Sequence, residues 1–357
     1  MKKHNFSPGP AILPAEVMEQ AAQACVEFNN SGLSILEISH RSALFTPVLA
    51  EAEELVREMT GLGDEYGVIF LSGGASTQFF MAPMNLIDPE DTALYVDTGA
   101  WSSKAIKEAK AFGKVEVLAS SKADNYNYIP KDYSVSNHAK YLHITSNNTI
   151  FGTQQHWWPQ TSLPIVADMS SDMFSRPLDW DRFGLIYAGA QKNLGPAGVT
   201  LVIVRKDLLG TVQRHLPSML DYRLHIENES TYNTPPVFPI YVMMLTLRWI
   251  KANGGLNAME AHNRKKAALL YNEIDRNPLF AGTVKHEEDR SLMNVTFVGA
   301  SEEVDSLFLK AAKEAGCVDI KGHRSVGGFR ASIYNAMSEE SIQVLVDVMQ
   351  DFARKHG

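Results

Sequence analysis

The chain has 357 residues, 33 Lys and Arg against 41 Asp and Glu, a formal net charge of −8, and a composition that is 45% hydrophobic and 21% charged. This is globular composition, and the length exceeds the roughly 250–300 residues at which single cores split, so two domains, or one large domain with an appendage, are expected. The acidic balance argues against a general binder of nucleic acid or membrane surfaces, which needs a positive field to collect phosphates. The longest uncharged apolar stretch, Val237 to Leu247, is far short of the roughly 20 residues that span a bilayer. Behind Lys2 and Lys3, Pro8, Pro10 and Pro14 interrupt any secretory apolar region, so a cytoplasmic protein is expected. Cys25 and Cys317 stand alone and far apart. That removes a disulfide framework and any multi-cysteine metal site; each is read as a small buried hydrophobe, and no metal is expected.

In chain order, Pro14 to Asn29 and Pro47 to Met59 read as helices, each opened by Pro and followed by a glycine, Gly32 and Gly61. Short apolar runs then read as buried strands: 67–71, 93–96, 115–118, 141–144, 164–167, 185–187 and 199–204. Thr77 to Ile87 and Ser102 to Ala111 fit as helices between the first three. Strand–helix–strand repetition predicts an α/β fold with right-handed crossovers and a mainly parallel sheet. The last two runs are joined by about eleven residues rich in Gly and Pro, too few for a helical crossover, so that pair is predicted antiparallel. After Pro235-Pro236 come helices over 240–252 and 257–275, separated by Gly254-Gly255, where the domain boundary is placed. The remainder alternates strands (292–298, 328–333) with helices (302–315, 339–354), a small α+β domain.

Ligands of open parallel sheets bind beyond the carboxyl ends of the strands, which singles out three loops. Ser72-Gly73-Gly74-Ala75-Ser76-Thr77 opens a helix with small residues that let backbone N–H groups approach an anion, although a plain tight turn explains it equally well. Asp168 stands at one strand tip and Asp97 at another; a turn or capping role is the ordinary reading of each. Lys192 sits after a strand among Ala190, Leu194, Gly195 and Pro196, which offer no polar partner. A loop lysine is ordinarily solvated, but a desolvated amine with depressed pKa is what Schiff-base chemistry requires. Lysine, aspartate and anion cradle together match the needs of pyridoxal 5′-phosphate. Trp101 is either a stacking partner for its ring or an ordinary packed tryptophan.

At Tyr187-Ala-Gly-Ala-Gln-Lys-Asn-Leu-Gly-Pro-Ala-Gly198 the sequence resembles the phosphoserine aminotransferase family of class V, fold-type-I pyridoxal-phosphate enzymes. The likeness continues through Phe6-Ser-Pro-Gly-Pro-Ala11, Ser39-His-Arg-Ser42, Ala82-Pro-Met-Asn85, Ala167-Asp-Met-Ser-Ser171, Tyr232-Asn-Thr-Pro-Pro236 and Gly322-His-Arg-Ser-Val-Gly-Gly-Phe-Arg-Ala331. It implies a seven-stranded, mainly parallel sheet with one antiparallel strand in a large cofactor domain (16–258), and a small α+β domain formed by 1–15 and 259–357. By the same resemblance Lys192 forms the imine and shuttles protons, and Asp168, not Asp97, partners the pyridine nitrogen. Trp101 stacks on the ring, Thr149 lies near its hydroxyl, and Ala75, Ser76 and Gln191 contact the phosphate. Asn233 and Thr234 complete that phosphate site from a second subunit, so a homodimer with shared active sites is implied. Ser7, Arg41, His323, Arg324 and Arg330 match substrate-binding positions. Several relatives carry arginine where this chain has Ser76, which shifts phosphate binding toward neutral hydrogen bonds and the helix terminus.

The activity implied is transfer of the amino group of L-glutamate to 3-phosphohydroxypyruvate, giving O-phospho-L-serine and 2-oxoglutarate in serine biosynthesis. Some relatives also accept 4-phosphohydroxythreonine, a pyridoxine precursor. Both principal substrates carry an anion at each end, which suits Arg330 for the near carboxylate and Arg41, His323 and Arg324 for the distal anion. The alternatives are another class V aminotransferase acting on a different oxo acid, a cysteine desulfurase, for which neither cysteine lies in a suitable loop, and a non-catalytic binding protein on the same scaffold.

Overall fold

The computed structural model describes residues 2–357, so Met1 lies outside it. Its centre is a sheet of seven strands: β1 (Tyr66–Leu71), β2 (Thr92–Asp97), β3 (Lys114–Ser120), β4 (Leu142–Thr145), β5 (Ile165–Asp168), β6 (Phe183–Gly189) and β7 (Thr200–Arg205). Their order across the sheet is β1-β7-β6-β5-β4-β2-β3. Only β7 runs against its neighbours, β6 and β1. The short Gly/Pro connection therefore makes the antiparallel pair, and the other six strands point their carboxyl ends to one edge.

Alternation along the strands sorts side chains to two faces. Ile165 and Ala167 join one core with α1 (Ala15–Val26), α2 (Thr46–Thr60) and α6 (Val237–Ala252), while Val166 joins the other with α3 (Gly74–Leu86) and α4 (Ala100–Ala109). A short helix, α5 (Tyr222–Glu227), packs Tyr222 into that second core. Helices link β1 to β2 and β2 to β3, as predicted. The later parallel connections differ: between β4 and β5 the chain makes a small hairpin, Asn147–Asn148 against Thr153–Gln154, and between β5 and β6 it makes only a short 3₁₀ turn. No crossover helix is needed there because α1, α2 and α6, supplied from distant segments, already cover that face.

The C-terminal third builds its own antiparallel sheet, β8 (Phe280–Gly282), β9 (Asn294–Gly299) and β10 (Phe329–Ser332), ordered β8-β9-β10 and packed with α7 (Gly255–Arg276), α8 (Glu302–Glu314) and α9 (Glu339–His356). Ser301 and Ser338 cap α8 and α9 through their hydroxyl oxygens, with glutamates following in each first turn. The N-terminus belongs to this unit: His4–Asn5 pairs in parallel with Cys317–Val318, and Phe6 lies in its core. Cys317 is buried as expected, whereas Cys25 is only partly buried. Among the described residues no helix is long and apolar enough to cross a membrane.

One buried charge fixes how this unit meets α7. Lys266 is fully buried, and its amine donates to the carbonyls of Ile333 and Tyr334, 3.0 and 2.7 Å away, just beyond β10. Burial pushes its pKa down to about 7, with Glu339 acting weakly the other way. Below that pH both folded and unfolded chains bind the proton. Between about 7 and the ordinary lysine value of 10.5 only the unfolded chain does, so the penalty on folding is relieved as pH rises. The stability of the wild type relative to Lys266→Met should therefore increase from pH 7 to 9 in urea titrations; a flat or falling difference would show that the amine is not desolvated as described.

Candidate active site

Lys192 stands in the turn leaving β6. The amides of Leu194 and Gly195 both return to the Ala190 carbonyl, at 3.1 and 2.8 Å, and the Ala190 amide donates to the Val199 carbonyl at 3.0 Å, closing the turn at the mouth of the β6–β7 pair. Gly195 presses this turn onto α6: a Cβ there would lie 3.3 Å from the Cα of Met243. Gly9 packs on the lysine stem, where its missing Cβ would come within 3.1 Å of Lys192 Cγ. The amine donates to Thr149 Oγ1 at 3.1 Å and lies 5.5 Å from the centre of the Trp101 ring. Burial pushes the amine below its usual pKa, opposed chiefly by the charge of Asp168 and reinforced by Arg330.

Asp168 ends β5, beside β6, and is buried. Its Oδ1 accepts the Ser170 amide at 3.0 Å and the Ser170 hydroxyl at 2.7 Å, the local turn that an aspartate followed two residues later by serine favours. Burial raises its pKa, with the Lys192 charge and the two Ser170 hydrogen bonds acting against that rise. The other strand-tip carboxylate is employed elsewhere. Asp97 accepts the hydroxyls of Ser102 at 2.9 Å, Ser103 at 2.8 Å, Ser120 at 3.0 Å and Tyr126 at 3.2 Å, and so stitches β2 to α4 and β3.

α3 begins directly after the carboxyl end of β1, at the same edge of the sheet. Gly73 and Gly74 both have left-handed φ, +101° and +67°, and a Cβ on Gly73 would run into Thr77 Oγ1. The bare turn therefore leaves the N–H groups of the helix start open, with Ala75 half-buried and Ser76 exposed. Gln191 is half-buried, and its carbonyl accepts the Ala11 amide at 2.9 Å. Trp101, in the first turn of α4, leaves its indole Nε1 buried without a partner.

Arg330, on β10, lies near enough to Lys192 for its charge to act on the amine. It is buried, its Nε has no partner, and burial lowers its pKa. His323 and Arg324 lie on the neighbouring loop. The Ser325 amide donates to His323 Nδ1 at 3.2 Å, which leaves Nε2 as the N–H of a neutral ring. Burial lowers the His323 pKa, and the charges of Arg330, Arg324 and Lys104 lower it further. Ser7 is held by Asn5 and Asp319, its hydroxyl 2.5 Å from each carbonyl or carboxylate oxygen. Arg41, Asn233 and Thr234 are not brought to Lys192. Arg41 is exposed on the loop before α2, in a cavity shared with Glu53, Glu54, Arg57 and Glu229. Asn233 and Thr234 are exposed, and Asn233 lines a cavity with Ser72, Gly73 and Thr77 beside the start of α3 in its own chain.

The class-V aminotransferase family model matches residues 3–345. The chain belongs to the class V aminotransferases. It is 58% identical over 356 residues to the phosphoserine aminotransferase of Flavobacterium psychrophilum, covering 99% of this chain and 100% of that one. The phosphoserine aminotransferase of Bacillus circulans subsp. alkalophilus superposes with a TM-score of 0.96 at 49% identity, over 100% of this chain and 99% of that one. The PLP-bound phosphoserine aminotransferase of Trichomonas vaginalis gives 0.93 at 38% identity, over 98% and 100%.

Several groups in this class V site escape a reading of the sequence. Ser170, the partner of Asp168, is signalled only by the Asp-x-Ser spacing. Lys104, its Nζ 4.3 Å from the centre of the Trp101 ring, has no motif. The three asparagines described below are scattered over the chain.

The charges acting on Lys192 include Asp168 but not Asp97. Asp168→Asn removes a group that favours the charged amine, so the Lys192 pKa should fall further, while Asp97→Asn should leave it in place. Labelling of cofactor-free protein with a small aldehyde and borohydride across pH, followed by peptide mapping, reads both midpoints. An unmoved midpoint in Asp168→Asn would place the partner carboxylate elsewhere.

Proposed function

We propose that this protein is a pyridoxal-phosphate-dependent phosphoserine transaminase, moving the amino group of L-glutamate to 3-phosphohydroxypyruvate to give O-phospho-L-serine and 2-oxoglutarate in serine biosynthesis. The observation that carries the reading is a desolvated lysine amine on which the charges of a buried carboxylate and of a buried arginine with an unpartnered Nε both act. The names of relatives sharing half or more of its residues point the same way. A desulfurase has no support: burial pushes the Cys317 thiol up to about 11, and Cys25 lies on α1.

The site fits the cofactor. The open amides at the start of α3 suit a phosphate, Asp168 Oδ2 is left without a hydrogen bond among the described residues, and the indole and guanidinium nitrogens of Trp101 and Arg330 await partners. When bound, the cofactor supplies an aldehyde that bonds to an amine and a ring that accepts electrons. Lys192 would hold it, Asp168 would keep a proton on its ring nitrogen, Trp101 would cover one face, and Thr149 would orient its hydroxyl. Ala75, Ser76 and Gln191 would receive the phosphate. The chain's own chemistry is then proton movement: Lys192 Nζ, whose pKa burial lowers, takes the proton from the substrate α-carbon and returns it on the other side of the reaction. Arg330 holds the adjacent carboxylate, and Ser7 lies at its side. His323, through Nε2–H, and Arg324 hold the distal anion.

The same reading divides the chain into a large domain of 16–258 and a small one of 1–15 with 259–357, and makes the enzyme a cytoplasmic homodimer. Arg41, Asn233 and Thr234, which lie apart from Lys192 in their own chain, are assigned to the partner's site. Lys192→Ala subunits, inactive in the pure state, and Arg41→Ala subunits, weakened in it, should then exceed the sum of their separate activities when mixed, because half of the hybrid's sites combine two intact halves. Absence of any recovery, with exchange verified by mass, would confine each site to one chain.

The distal pocket tests the substrate class. A charge-assisted hydrogen bond contributes about 1.5–3 kcal/mol, so Arg324→Ala should lower kcat/KM for phosphohydroxypyruvate and glutamate by roughly ten- to a hundredfold. Alanine, with no distal anion, should start very low and change little. Wild-type efficiency in both Arg324→Ala and Arg41→Ala would remove the phosphorylated substrate from the reading. The same assay with 4-phosphohydroxythreonine tests a role in pyridoxine biosynthesis.

A further inference from the structure

Three successive carbonyls in the turn after β5 each receive an asparagine amide from a different part of the chain. Asn193, next to Lys192, donates to the Met173 carbonyl at 2.7 Å; Asn335, just past β10, donates to that of Phe174 at 2.9 Å; Asn263, on α7, donates to that of Ser175 at 3.0 Å. The three are also joined to one another. The Asn335 amide N–H donates to Asn193 Oδ1 at 2.9 Å, and Asn263 Nδ2 donates to Asn335 Oδ1 at 2.8 Å. Their exposures are 5, 2 and 0% for Asn193, Asn335 and Asn263, so water cannot substitute for any of them. The turn they hold is one the backbone disfavours: Phe174 has φ of 56°, left-handed for an aromatic residue, and such a conformation persists only where its surroundings impose it.

The turn and two of the asparagines are each tied to a different working group. The turn at 173–175 continues from Asp168, Asn193 follows Lys192 directly, and Asn335 extends the strand that carries Arg330. Lys266, one turn along α7 from Asn263, grips the two residues before Asn335. We propose that Asn193, Asn263 and Asn335 are positioning residues, a clamp that sets Lys192, Asp168 and Arg330 in one frame; the functional half of this inference rests on the transaminase reading above. The chemistry demands such a frame. The carboxylate held by Arg330 and the proton taken by Lys192 sit on adjacent substrate atoms, so a shift of one group against the other of about 1 Å costs on the order of a hundredfold in rate. Asparagine suits the task because its side chain offers both donors and an acceptor: Asn193 and Asn335 use both kinds, while Asn263 donates to the turn and to Asn335 and leaves its own Oδ1 without a partner.

The test uses Asn193→Ala and Asn335→Ala in the full chain. The cofactor-loaded proteins should lose roughly ten- to a hundredfold in kcat with glutamate, more than in KM, since Arg330 remains present. In cofactor-free protein, the rate of Lys192 labelling at fixed pH should change by about threefold or more, because the amine moves relative to the charges of Asp168 and Arg330. Arg324→Ala should leave that labelling unchanged. If both alanine variants fail to fold, Asn263→Ala, which touches neither the lysine turn nor β10 directly, is scored by the same two measurements. Variants that melt at lower temperature yet keep wild-type kcat and wild-type labelling overturn the proposal. Altered labelling in a protein whose wild type does not transaminate would instead leave the clamp standing and remove the transaminase reading.

Discussion

The structure depends on a desolvated pair, Lys192 and Asp168, whose charges each make the other tolerable. Burial drives both toward their neutral forms, raising the carboxyl and lowering the amine. Each charge opposes the shift of the other, and neither is locked to the other in a salt bridge. The carboxylate oxygen Oδ1 is instead occupied by Ser170, and the amine by the Thr149 hydroxyl. A direct ion pair would hold the amine protonated and useless as a base. Separation on two adjacent strand tips keeps the electrostatic coupling and leaves both groups free to act.

Much of the sheet was legible because buried strands in a parallel sheet are short apolar runs bounded by turns. The antiparallel β7 was legible from loop length alone. The irregular links from β4 to β5 and β5 to β6 were not, since nothing local says that a sheet face is already covered by helices from α1, α2 and α6. Lys192 stood out through its apolar neighbours. Choosing between Asp97 and Asp168 needed the family resemblance, because both close a strand. What separates them is tertiary: four hydroxyls from α4, β3 and a later loop surround Asp97. Helical phase likewise hides Lys266. Its neighbour Lys265 has 70% of its side chain exposed and pairs with Glu339, while Lys266 points inward to two carbonyls.

Two phosphates have to be told apart in the proposed reaction, one on the cofactor and one on the substrate, and under the proposed assignment of residues they meet different kinds of positive field. At the start of α3 the field comes from aligned backbone dipoles, worth roughly half a charge, with the exposed Ser76 hydroxyl nearby. At the other end stand whole cations: Arg330, Arg324 and Lys104 all act on His323. A free substrate must be drawn from solution and released each turn, so it gains from long-range charge that also lowers the pKa of His323 and keeps the ring neutral. A cofactor tethered through Lys192 needs no such attraction. Its phosphate requires only donors that fit it, and a weaker field there keeps the substrate from binding the wrong way round.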